Sequence, residues 1–216
     1  MILEGIVRRF TALKGGKTPI DARFTHQESL AVAQVEPEGF EITRSGRRFQ
    51  LAFNGTVPTG IAPVQALPTT AAAWVLWNAD PYKSYILTTL GVMLFSGTPA
   101  AGGTVLGTIF KQPSQSGANA TGLSILNMSG SAIGSNAVLK SAVTITSPAA
   151  PVWTQLAALP DAVDGIGGLA GPTSDIKGRI IIPPGQGFGL TVFAGAGTTP
   201  LFLPAISWIE LESDLE

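Results

Sequence analysis

Apolar and β-branched residues in this chain come in short runs of five to thirteen, separated by Gly, Pro, Asn and Ser. Runs of that length, bounded by turn-forming residues, read as β-strands. Nine segments fit: residues 47–54, 72–78, 84–96, 104–111, 121–128, 137–146, 178–182, 187–194 and 203–211. The 84–96 segment is long enough for one bent strand, with Gly91 as its expected bulge. Alternation places Trp208, Glu210 and Glu212 on one face of the last strand and Ile209 and Leu211 on the other. Trp74 and Trp77 are three positions apart, so one regular strand turns them to opposite faces. No segment sustains a capped 3.6-residue period. Residues 154–163 are the one expected helix, kept short by Pro160, and the glycine-rich stretch 161–175 reads as an exposed loop. Nine strands at this spacing, without a repeat of fixed period, predict an all-β sandwich or barrel rather than a βαβ fold.

Charge changes that picture by its placement. Charged residues are 12% of the 216, about half the usual ~25%. Residues 1–48 hold eight of the 13 Lys+Arg and six of the 14 Asp+Glu, and residues 210–216 hold four more acids. The 161 residues between carry five basic and four acidic side chains. The chain therefore reads as a charged, extended N-terminal arm (residues 1–45) followed by a nearly uncharged β domain (residues 46–216). Charge depletion marks surfaces that become buried against partners, so the body is expected to pack against copies of itself. A net charge of −1 supplies no broad attraction to nucleic acid or membrane. Arg8 and Arg9 precede a polar stretch instead of an apolar one, and no apolar run reaches the ~20 residues of a membrane span. The expectation is a cytoplasmic product with no membrane partner.

The search for chemistry yields few candidates. Cysteine is absent and His26 is the only histidine, so the usual thiolate and multi-imidazole metal sites lack their ligands. His26 lies in the arm, a poor setting for a Ser–His–acid triad, and no G-x-S-x-G elbow occurs. The acids of the body, Asp80, Asp161, Asp164 and Asp175, sit in turn-like contexts, and turn chemistry accounts for them more simply than a glycosidase pair. The 161–165 spacing lacks the alternating ligands of a calcium loop. The glycines at 185, 187 and 189 follow two prolines and lead into a strand, which reads as a hairpin turn and not a phosphate cradle. Arg44, Arg47 and Arg48 form a small basic cluster that could contact phosphates, although local pairing with Glu36, Glu38 and Glu41 is the simpler account. Trp77 is the candidate ligand or partner contact among the four tryptophans, which otherwise suit core or interface anchors. The sequons at Asn54, Asn119 and Asn127 read as accidental. No catalytic residue, cofactor or metal is predicted.

The segment 178–212 (GRIIIPPGQGFGLTVFAGAGTTPLFLPAISWIEL) resembles the closing hairpin of jelly-roll proteins on tailed-bacteriophage particles, with an I-x-x-P-P-G turn and an aromatic-x-E pattern in the last strand. Residues 44–97 are also similar to virion structural proteins of such phages. The resemblance implies an antiparallel jelly-roll β-sandwich, commonly trimeric. It would sit on a head, neck or tail as a capsid decoration, collar or head-fibre component. The implied partners are copies of itself and other virion proteins, such as the major capsid protein or neck and tail proteins. Assembly would take place in host cytoplasm. A carbohydrate- or receptor-binding module of a phage tail, with a glycan as ligand, is the alternative.

Overall fold

The computed structural model describes residues 21–24, 30–33, 39–97, 103–111, 117–159, 173–194 and 200–213. Two compact units divide the chain, Met1–Glu41 and Ile42–Glu216. In the first, β1 (Asp21–Phe24) and β2 (Leu30–Ala33) pair as an antiparallel hairpin. His26, Glu36, Glu38, Asp161 and Asp164 lie outside the described residues. A single helical turn, α1 (Phe40–Arg44), leads to the strands of the second unit.

Those strands are β3 (Arg48–Phe53), β4 (Ala71–Asn78), β5 (Lys83–Ser96), β6 (Gly103–Lys111), β7 (Ala118–Asn119), β8 (Leu123–Asn127), β9 (Ala137–Thr144), β10 (Thr154–Leu159), β11 (Thr173–Ile182), β12 (Gln186–Ala194) and β13 (Leu201–Glu212). They form two antiparallel sheets, ordered β10-β6-β12-β4-β9-β7 and β11-β5-β13-β3-β8. Eight of them pair as nested hairpins: β3 with β13, β4 with β12, β5 with β11, and β6 with β10. Side-by-side pairing of β13 with β5 and of β12 with β6 rolls this long hairpin into two facing sheets. That order is a jelly roll. The remaining strands, β7, β8 and β9, are an insertion between β6 and β10. They widen both sheets on the same side, β9 beside β4 and β8 beside β3.

Alternation along the strands puts one apolar face of each sheet into the space between them. Trp74, Leu76, Phe188 and Leu190 from the first sheet meet Phe49, Tyr85, Leu87 and Trp208 from the second. Trp74 and Trp77 do face opposite ways. Trp77 belongs to a second apolar cluster, with Val75, Phe110, Val143 and Ile145, on the outer face of the first sheet. Gly187 makes that arrangement possible: it pairs with Trp77 and Phe110, and a Cβ there would lie 2.8 Å from the Phe110 ring and 3.1 Å from the indole.

Two expectations are corrected. Residues 154–159 form strand β10, not a helix. A bulge between Gln155 and Ala157 shifts the alternation, so Leu156 and Leu159 both reach the core at a spacing that imitates a helix. The irregularities in β5 fall where Thr88 and Phe95 are skipped in the pairing with β13, while Gly91 pairs regularly with Ala205.

Candidate functional site: a polar cluster at one end of the sandwich

The β4–β5 turn, the β11–β12 turn, the end of β13 and the loop before β9 converge at one end of the body. Asn78, the last residue of β4, organises the first two. Its Nδ2 donates to the carbonyls of Lys83 (2.7 Å) and Ile182 (2.9 Å), and its Oδ1 accepts the amide of Asp80 (3.0 Å). Its own carbonyl accepts from the Gly185 amide at 3.0 Å. Gly185 has φ 70° and follows Pro184, the pairing that a type II turn requires. The Gln186 amide closes that turn onto the Pro183 carbonyl at 3.2 Å.

Asp80 and Glu210 are 4% and 2% exposed. A buried carboxylate is tolerated only when its oxygens are bonded or paired. Asp80 Oδ1 accepts the amides of Tyr82 (2.8 Å) and Lys83 (3.0 Å), while Oδ2 accepts Asn136 Nδ2 (2.9 Å) with Lys83 Nζ at 3.9 Å. Glu210 Oε2 meets Lys83 Nζ at 3.4 Å. Its Oε1 accepts the Ser135 hydroxyl and the Trp208 indole N–H, the latter at 3.4 Å. Ser135 Oγ in turn accepts the Ala137 amide at 3.0 Å, which starts β9. Two acids thus hold the inserted segment against the body through consecutive residues, Ser135 and Asn136.

Burial pushes the Asp80 pKa up, but the Tyr82 amide, Asn136 and the Lys83 charge outweigh it, and the carboxyl ends below its usual value. Burial first, and the Glu210 charge second, push the Tyr85 hydroxyl upward. These carboxylates have their oxygens committed to protein donors, which suits holding loops more than moving protons. For Asp80 the depressed folded pKa means that its stabilisation is complete above 3.8 and is lost as pH falls through the lowered value. Denaturant midpoints followed downward from neutral pH should therefore fall less steeply for Asp80→Asn than for the wild type as pH drops from 3.8 through the lowered value. Parallel curves would show that Asp80 does not anchor the turn.

Two hollows flank the cluster. One is lined by Asp80, Pro81, Tyr82, Lys83, Pro183, Pro184, Glu212 and Ser213, and Tyr82 stands 77% exposed on it. The smaller one is lined by Ser45, Arg47, Phe49, Ile133 and Glu210 among others. Of the basic candidates, Arg44 ends α1, Arg47 is exposed beside the smaller hollow, and Arg48 is partly buried on β3. Trp77, the aromatic candidate, is 7% exposed and tilted against Phe110 with centroids 6.3 Å apart. Tyr82, an exposed aromatic side chain bordering the larger hollow, carries no signal in the sequence that marks it as a candidate. Asn127 spends its side-chain amide on the carbonyls of Gly46 (2.8 Å) and Ile133 (3.1 Å).

Among the described residues no group of three or more His, Asp or Glu side chains is placed to hold a metal ion, and no helix is long and apolar enough to cross a membrane. Comparison with protein-family models, with curated proteins and with solved structures returns no match to this chain.

Proposed function

We propose that this chain is a structural protein of a tailed-phage particle: a jelly roll that assembles with copies of itself and decorates or reinforces a head, or forms part of a collar or head fibre. The observation that carries this reading is how the body uses its few charges. Asp80 and Glu210, two of the few charged residues of the body, are buried and hold connections, with the partly exposed Lys83 paired to both, while uncharged residues make up most of the body. Val57, Leu67 and Val152 are 71–81% exposed there. A surface with little charge and exposed apolar side chains suits burial against other subunits. Jelly rolls recur in viral shells, and the likeness of residues 44–97 and 178–212 to virion proteins points the same way.

On this reading the chain is not an enzyme, and the N-terminal unit is the attachment device. Peptides of the chain are expected in gradient-purified particles produced from the genome that encodes it, in stoichiometric amounts relative to the shell. Their absence from such particles overturns the proposal. Removing residues 1–41 should leave the body folded but sharply reduce its occupancy on the particle, measured by the same peptide counting.

A further inference from the structure

We infer that two copies of the body pair through the free edge of β8, so that their second sheets join into one continuous antiparallel sheet. Unpaired strand edges are templates for further strands, and proteins blunt them with shortness, charge or bulges. Four edges end the two sheets among the described residues: β10, β7, β11 and β8. Three are blunted. β7 is two residues long, and β10 is bulged between Gln155 and Ala157. β11 breaks register between Asp175 and Ile180, has Lys177 and Gly178 at positive φ, and carries Asp175, Lys177 and Arg179.

β8 has none of these defences. Its register with β3 is unbroken from Phe49↔Asn127 to Phe53↔Leu123. It lies in the stretch 112–139, which contains no charged residue. The bonds Asn54 N–H to Gly122 O (3.2 Å) and Met128 N–H to Arg48 O (2.9 Å) fix the phase of the ladder. Even-numbered residues of β8 therefore bond to β3, and the N–H and C=O of Leu123 and Ile125 point away from the sheet. The core is also open at this edge: a hollow of about 220 Å³ between β8 and β9 is lined by Leu51, Leu123, Ile125 and Leu139. Phe53 and Leu126 beside it are 57% and 48% exposed.

A second copy of the same strand fits this edge. A two-fold axis at Ile125 makes the two Ile125 residues a hydrogen-bonded pair and sets Leu123 against the partner's Asn127. Ser124 then lies opposite the partner's Leu126 on the outer face, where no like charges meet. The phase set by β3 already aims the required groups outward, and an edge without charge has nothing with which to select an oppositely charged partner. The inference does not depend on the virion reading, because it concerns the free chain.

The test is the mass of the full chain in solution, by light scattering, for the wild type, for S124K/L126K, for S124E/L126E and for an equimolar mixture of the two variants. Both positions are exposed, and circular dichroism checks that the fold is kept. The wild type should have an even number of subunits. Each variant should halve that number, with a dissociation constant raised by at least about tenfold, and the mixture should restore it, because opposite charges then face each other. A wild type with an odd number of subunits, variants of unchanged mass, or a mixture that stays dissociated would each overturn the inference. A chain that pairs in this way yet is missing from particles would refute only the proposed function.

Discussion

Replacing Trp208 by alanine is expected to lower stability by about 3–5 kcal/mol, the range for large aromatic deletions from a packed core. Trp208 is fully buried on the central strand of the second sheet. Its ring stacks on Phe49 at 6.0 Å and 23°, and meets Tyr85 at 6.2 Å and 34°. Alanine removes both contacts and also withdraws the indole N–H from Glu210, so the acid that holds Ser135 loses a donor. Trp208→Phe should cost less, because a ring still fills most of the space and only the donor and part of the volume go. Denaturant midpoints at constant m would read the series. A loss under about 1 kcal/mol for the alanine variant would be too small for a closely packed core aromatic and would mean that the sheets close without this side chain.

The second large effect is expected at Gly122, on the turn into β8. Its φ is +76°, and an added Cβ would lie 2.3 Å from Pro58 Cα and 2.6 Å from Pro58 N. Those are backbone atoms of a rigid residue, so the neighbour cannot swing away. Gly122→Ala combines about 1–2 kcal/mol for the left-handed backbone with about 1–3 kcal/mol for overpacking. Gly55 has φ +86° but nothing within 4 Å of its added Cβ, so Gly55→Ala isolates the backbone contribution. Equal losses for the two variants would show that Pro58 does not constrain Gly122.

Much of the fold was legible because its strands are long and punctuated. All nine expected segments are strands, and the three-residue separation of Trp74 and Trp77 placed them on opposite faces correctly. β10 was misread because its bulge gives Leu156 and Leu159 a helical spacing, and β7 is too short to leave a pattern. Strand order is not written in periodicity at all; only the resemblance of the closing segment pointed to a jelly roll. The polar cluster was half visible. Asp80 reads as a turn residue from its neighbours, and it is one. Its link to Asn136, and that of Glu210 to Lys83, span 56 and 127 residues, and no local signal connects them. The one available hint was Glu210 in phase with Trp208, an acid on the face that a large aromatic buries.

The nested pairing also sets an order of events in synthesis. β13 lies between β5 and β3, so the second sheet lacks its middle until the last strand has left the ribosome. The earlier strands of that sheet have no complete ladder to join until β13 is available. Closure of the body thus waits for β13 and is dominated by contacts distant in sequence, the class that closes slowly and exposes strand edges in the meantime.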